Sequence, residues 1–177
     1  MIRAATLADA PQIQAIYAHH VAHGTGTFEE VAPSVEGTEQ RIADVLDRGL
    51  PYLVAEEDDR IVGFAYASPF RLRSAYRYSA EDSVYVAPGR QGQGLGRRLL
   101  GELIVACEAR GLRQLIAVIG DSSNAGSVGV HRACGFEMIG AAKGMGFKHD
   151  RFLDVVFMQK ALNGGTEGTP DWSGLSL

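Results

Sequence analysis

The 177-residue chain is predicted to fold as a single α/β domain with a mixed sheet and helices on both faces, in the order β-α-α-β-β-β-α-β-α-β-β. Three observations carry this prediction. Val84-Tyr85-Val86 is a β-branched and aromatic strand that turns at Pro88-Gly89 and enters an amphipathic helix through a loop with glycines at alternate positions. Leu115 to Ile119 is an unbroken apolar run, the pattern of a strand covered on both faces. The remaining chain alternates stretches of 3.6-residue apolar spacing with short β-rich runs.

In chain order, Ile2 to Ala5 is a first strand, and Thr6-Leu7-Ala8-Asp9 has the outline of a capping box with Asp in the acceptor position. Ile13, Ile16, Tyr17 and Val21 define a helix that stops at Gly24 or Gly26. Ser34 caps a second helix with Val35, Ile42, Val45 and Leu46 inward, ending at Gly49. Tyr52–Glu56 and Ile61–Tyr66 form a hairpin across Glu57-Asp58-Asp59-Arg60. Ser68 to Ala80 interleaves Arg71, Arg73 and Arg77 with Phe70, Tyr76 and Tyr78. Beyond the glycine loop, Leu95, Leu99, Leu103, Val105 and Ala106 line a long helix to Gly111. Asn124 opens a short helix to Cys134, and Met138–Gly140 and Phe152–Met158 supply the last two strands. The domain spans residues 1–162, and residues 163–177 read as a flexible tail rich in Gly, Thr, Pro, Asp and Ser.

Composition narrows the function classes. A net charge of −4 gives no basic face for nucleic acid. No apolar run reaches the ~20 residues that cross a bilayer, and Met1-Ile2-Arg3 leads straight into structure with no signal peptide. Cys107 and Cys134 lack metal-ligand spacing and read as free thiols of a reducing cytoplasm. His19 and His23 stand four apart with no third ligand, so no metal is expected.

The loop is where chemistry is written. A strand feeding a helix through Gly92, Gly94 and Gly96 turns backbone N–H groups toward the positive helix end, which suits a phosphate or pyrophosphate. A P-loop would need Lys and Ser or Thr after its last glycine, and Arg97-Arg98 stand there. A dinucleotide fingerprint would need glycine at Arg97 and an acid ending the next strand, and Leu115–Ile119 has none.

The sequence Gln91-Gly92-Gln93-Gly94-Leu95-Gly96 after Val84-Tyr85-Val86 resembles the acyl-CoA loop of the GNAT superfamily of N-acetyltransferases. Asn124, Ser127 and His131-Arg132-Ala133-Cys134-Gly135-Phe136 match a second signature of that superfamily, with His131 where most members carry Tyr. Together with Ala80 to Val86, Ala117 to Gly120 and Gly146-Phe147-Lys148-His149, they resemble the phosphinothricin acetyltransferase branch, relatives of which act on methionine sulfoximine and methionine sulfone. The resemblance covers residues 1 to about 160. It implies acetyl-CoA as co-substrate, with Val84, Tyr85 and Val86 holding pantetheine and acyl group through their backbone. By the same resemblance Gly92, Gln93, Gly94, Leu95, Gly96 and Arg97 bind the pyrophosphate, and the Asn124 side chain reaches the pantetheine arm.

Transfer needs a neutral amine. An α-amino group of pKa near 8 costs only ~1.4 kcal/mol to deprotonate at pH 7, so a modest base suffices. The resemblance assigns that role to Glu81, which otherwise reads as a surface acid at a strand start. His131 is the second candidate, as base or as donor to the departing thiolate, or else a packed helix histidine. Phe28, Arg71, Arg73 and Tyr76 match substrate-site positions of the family, whose motif has Lys where Arg71 stands. Two arginines beside an aromatic ring suit a small amino acid with a carboxylate and a second S=O or P–O group, although a solvated basic loop would look the same. A small-molecule amine substrate, a cytoplasmic location and a homodimer are expected. A peptide N-terminal acetyltransferase and a non-catalytic acyl-CoA-binding module are the competing readings, and the closed arginine–aromatic loop weighs against the first.

Overall fold

In the computed structural model, which describes residues 1–177, the elements are β1 (Ile2–Ala4), α1 (Ala10–His23), α2 (Val35–Asp47), β2 (Tyr52–Glu57), β3 (Arg60–Pro69) and β4 (Ser79–Val86). Then come α3 (Leu95–Ala109), β5 (Gln114–Gly120), α4 (Ala125–Ala133), β6 (Glu137–Lys148) and β7 (Arg151–Ala161). This is the expected order. The strands form one seven-stranded sheet, β1-β2-β3-β4-β5-β7-β6. All neighbours are antiparallel except β4 and β5, which run parallel because α3 carries the chain back across the sheet.

Local chemistry explains the boundaries. The Asp9 carboxylate accepts the Thr6 N–H at 2.8 Å before α1, after one 3-10 turn at Leu7–Asp9. Ser34 Oγ accepts the Gly37 N–H at 3.1 Å and starts α2. The two hairpins turn on residue pairs with positive φ, Asp58-Asp59 and His149-Asp150, the geometry of a type I′ turn that Asp and His tolerate.

Side-chain alternation assigns the helices to faces. Tyr85 meets Tyr17 of α1 edge-to-face at 5.1 Å and Phe64 stacks on Tyr85 at 5.1 Å, so α1 lies on their side of the sheet. Gly63, one residue before Phe64, faces Leu95 and Leu99 of α3 on the opposite side. The core is continuous across both layers, from Ile13, Ile42 and Phe64 to Leu99, Leu103, Leu115 and Met158.

Four differences from the sequence reading stand out. Leu46 and Val105, expected inward, face solvent, because the buried stripes run through Ile42 and Val45 on α2 and through Leu100, Ile104 and Cys107 on α3. β4 begins five residues earlier than Val84, so Glu81 and Asp82 are strand residues with fixed facings. β6 extends through Gly144-Met145-Gly146 to Lys148, its register slipping between Ala142 and Gly146, where Lys143, Gly144 and Met145 stand opposite Asp154 alone and bulge out. Residues 163–177 form no helix or strand, yet Trp172 lies under Arg110 at 4.4 Å and Leu175 is buried in the core.

Candidate active site

The parallel ladder between β4 and β5 stops at Asp82↔Ala117, while β4 continues to Val86 and β5 to Gly120. The two strands splay, and a cavity of about 760 Å³ opens between them. Facing can be worked out from the antiparallel partner. Ala87 N–H donates to Val62 at 2.9 Å and Phe70 N–H to Ser79 at 3.3 Å, so odd-numbered β4 residues bond to β3. Val84 and Val86 therefore direct N–H and C=O into the gap. Tyr85 does not: it lines the cavity, but its backbone is committed to β3 opposite Phe64. The Val86 carbonyl is already taken, accepting from His20 Nε2 at 2.8 Å. Burial of His20 lowers its affinity for a proton, in keeping with a neutral ring whose Nε2–H donates.

The glycine loop lines the mouth. Gly92 and Gly94 have φ of +75° and +77°, conformations that a Cβ disfavours, and Gly94 is the residue that turns into α3. The first helical bond is Arg98 N–H to Gly94 C=O at 3.1 Å, so the N–H groups of Leu95, Gly96 and Arg97 have no partner within the helix. No acid stands in the first turn of α3 to neutralise them. Gly92, Gly94, Leu95, Gly96 and Arg97 all line the cavity, and Gln93, beside them, donates its side-chain amide back to Gly89 at 3.3 Å. Arg90 forms an ion pair with Glu57 that fixes the outer limb of the loop. Across the gap, Asn124 Oδ1 accepts the Ser127 N–H at 3.1 Å and caps α4, which leaves its NH₂ group free to donate into the cavity.

Glu81 and His131 stand on opposite faces of the sheet. Glu81, on the α1 side, is mostly buried; desolvation, followed by the adjacent Asp82 charge, raises its carboxyl to about 7 against a partial offset from Arg71. His131, on the α3 side, is buried against Asp82, with Nε2 at 2.8 Å from Asp82 Oδ2. Its Nδ1 stands 2.7 Å from the Ser127 carbonyl, an acceptor only, so Nδ1 carries hydrogen. Burial disfavours charge on the ring, but Asp82 and the Ser127 carbonyl outweigh it and raise the proton affinity. A histidine with both nitrogens facing acceptors has no free lone pair to take a proton. Of the roles the sequence leaves open for His131, this geometry favours a packed or proton-holding histidine over a base.

The expected substrate residues form two clusters. Arg71 lies over Phe70 at 4.6 Å, Tyr76 meets the same ring at 5.7 Å, and Arg71 is the cation that acts on Glu81. Arg73, on the same loop, is exposed. Phe28 instead sits between the end of β5 and β6: a Cβ on Gly120 would stand 2.9 Å from its ring, and one on Gly146 would overlap it. Lys148 Nζ, buried, donates to Thr27 C=O at 2.8 Å, and Tyr17 OH shares a hydrogen with Thr27 Oγ1 at 2.9 Å. Two anchors thus hold the loop that carries Phe28. His20, Asp82 and Lys148 were not singled out in the sequence, because their roles come from strand facing and cross-sheet contact.

A mixed sheet splayed at a parallel β4–β5 pair, with unpartnered helix amides at its mouth, defines a coenzyme A-dependent acyltransferase. The model for an acetyltransferase (GNAT) domain matches residues 2–157, and the chain belongs to this family. It is 55% identical over 163 residues to a phosphinothricin N-acetyltransferase of Alcaligenes faecalis, covering 92% of this chain and 83% of that protein. It is 37% identical over 165 residues to an L-methionine sulfoximine/L-methionine sulfone acetyltransferase of Salmonella typhimurium, covering 92% and 94%. A crystal structure of a phosphinothricin acetyltransferase from Sinorhizobium meliloti in complex with acetyl-CoA superposes with a TM-score of 0.94 at 43% identity, covering 98% of this chain and 94% of that one.

Proposed function

We propose that this protein transfers an acetyl group from acetyl-CoA to the amine of a small amino-acid analogue of the phosphinothricin, methionine sulfoximine or methionine sulfone type. The observation that carries the reading is the gap beyond Asp82↔Ala117; Glu81, one residue before it on β4, does not line the cavity but has its carboxyl held near 7. The loop amides at Gly92–Arg97 would seat the pyrophosphate, the Asn124 amide would reach the pantetheine arm, and the Val84 and Val86 backbone would hold the thioester end. Glu81 would take the amine's proton as nitrogen attacks the thioester carbon, and the C–S bond would then break toward a thiolate. A group poised near neutrality is matched to an amine whose deprotonation costs little. Arg71, with Tyr76 beside it, would bind the carboxylate or the S=O or P–O group, while Phe28 shapes the apolar wall.

A homodimer belongs to the same reading. Met138, Ile139, Met145, Phe147 and Phe152 stay exposed on the outer β6–β7 hairpin, an apolar stretch on the sheet's edge. No helix is long and apolar enough to cross a membrane, and both cysteines are free, in line with a cytoplasmic location.

Thiol release from acetyl-CoA, followed with phosphinothricin, methionine sulfoximine, methionine sulfone and the common amino acids, tests the proposal. Acceptance of the first three in preference to ordinary amino acids is expected. Release with none of them overturns it.

A further inference from the structure

The Asp82–His131 pair is more deeply buried than Glu81 and belongs to no step described above. Side-chain exposure is 1% at Asp82 and 6% at His131. His131 Nε2 stands 2.8 Å from Asp82 Oδ2, an acceptor, so a hydrogen lies between them. With Nδ1–H already committed to the Ser127 carbonyl, the ring is an imidazolium whose two N–H bonds both point at protein acceptors. Asp82 Oδ1 has no hydrogen-bond partner, so His131 is the only group hydrogen-bonded to this carboxylate.

The Ser127 hydroxyl completes the arrangement. Its oxygen lies 3.4 Å from His131 Nδ1, close enough to accept a share of the same N–H that meets the Ser127 carbonyl. The hydroxyl hydrogen then points away from the ring, whose Nδ1 is the hydroxyl's one hydrogen-bond partner in the protein. Asp82, Ser127 and His131 all line the cavity between β4 and β5. The hydroxyl therefore offers a donor to whatever occupies the gap, in front of a buried positive charge.

We propose that Ser127 donates a hydrogen bond to the departing thiolate, and that Asp82 is the positioning residue that keeps His131 a fixed imidazolium behind it. The inference rests on the acetyl-transfer reading above. No proton leaves His131 in this arrangement: as the C–S bond breaks, the electron pair moves to sulfur, and Ser127 and the cation stabilise that charge. Solvent then protonates the thiolate once the product leaves. Other charged or titratable groups near the pair are Glu81 on β4, Arg97 and Cys107 on α3, Cys134 at the end of α4 and Lys160 on β7. Burial lifts both thiols above their ordinary range, so neither competes as an anion at neutral pH.

The test compares the wild-type protein with Ser127→Ala and Asp82→Asn. Ser127→Ala keeps the N–H that caps α4, so the fold is retained. A thiol of pKa near 8.5 departs readily, so the expected loss in kcat is about tenfold, with the Kd for acetyl-CoA unchanged within about twofold. Unchanged kcat, or a loss wholly accounted for by weaker acetyl-CoA binding, overturns the role of Ser127. Nitrogen NMR of His131 is expected to show both ring nitrogens protonated in the wild-type protein at pH 7 and one deprotonated in Asp82→Asn. A neutral ring in the wild-type protein at pH 7 overturns the role of Asp82 even if the variant does not fold. Wild-type protein that transfers no acetyl group would instead overturn the acetyl-transfer reading, while the NMR result still decides the state of His131.

Discussion

Glu81 and Asp82 are consecutive residues of β4 that face opposite sides of the sheet, one carboxyl near Arg71 under α1 and the other bonded to His131 of α4. Strand alternation thus puts a carboxyl held near 7 on one face and the buried Asp82–His131 pair on the other; on the proposed reading the first face would receive the amine and the second would lie behind the thioester.

The first prediction concerns Glu81→Gln. Loss of the base should lower kcat/KM by about 100-fold at pH 7.5 and remove the rise in rate through pH 7, with acetyl-CoA affinity unchanged. Stability should move the other way. The native carboxyl holds its proton to about 7 against an ordinary 4.5, so the folded state binds more protons in that window and wild-type stability falls as pH rises through it. At 1.36 kcal/mol per unit, Gln should stabilise by up to about 3 kcal/mol at pH 8 and by nearly nothing at pH 4. Urea denaturation at the two pH values, beside the pH–rate profile, checks both halves.

Arg71→Ala should act twice. The KM for the amino-acid substrate should rise by about tenfold, as loss of one charged hydrogen-bond donor implies, with the KM for acetyl-CoA unchanged. Arg71 also opposes the upward shift at Glu81, so its removal should move the acidic limb of the pH–rate profile to higher pH. An increase in KM with no movement of the limb would separate substrate binding from the electrostatic role.

Gly94→Ala isolates the loop. A Cβ there meets nothing within 4 Å, so any cost comes from the φ of +77° alone, about 1 kcal/mol. Relief of that strain would rotate the amides at the start of α3 away from the cavity. The expected result is a small drop in Tm with at least a tenfold loss of acetyl-CoA affinity by calorimetry. A variant that binds acetyl-CoA normally would place the pyrophosphate elsewhere.

The fold was legible because its signals are local. Strand–loop–helix at Val84 to Leu100, the apolar run at Leu115 to Ile119 and the Ser34 and Asn124 caps each declare themselves within a few residues. The glycine loop was legible for the same reason. Facing was not: nothing near Tyr85 says that its amide bonds to β3, because that follows from a register set by Ala87 and Val62. The His131–Asp82 bond joins residues 49 apart in sequence, and the Lys148–Thr27 bond residues 121 apart. Resemblance groups Phe28 with Arg71, Arg73 and Tyr76 as substrate-site positions, and where its ring lies is decided by two distant glycines, Gly120 and Gly146.

The last prediction concerns the C-terminal segment, whose Gly-, Thr- and Ser-rich composition resembles that of a solvated tail. Leu175 N–H donates to the Arg77 carbonyl at 2.8 Å, Arg48 to the Ser176 carbonyl at 3.0 Å, and Asn163 Nδ2 to the Glu108 carbonyl at 2.8 Å. The Leu175 side chain is 5% exposed, so removing it leaves a hole in the core rather than a bare surface. Leu175→Ala should cost about 2 kcal/mol, at the lower end for a buried leucine because a terminal segment relaxes into the gap. Deleting residues 170–177 should cost at least as much, since Trp172 leaves Arg110 and Gly111 as well. The segment touches Arg77, next to Tyr78 and the start of β4, but lies on no face of the cavity. Both variants should therefore keep the wild-type KM values at 20 °C while losing Tm, and a truncation that leaves Tm unchanged would show the segment to be undocked in solution.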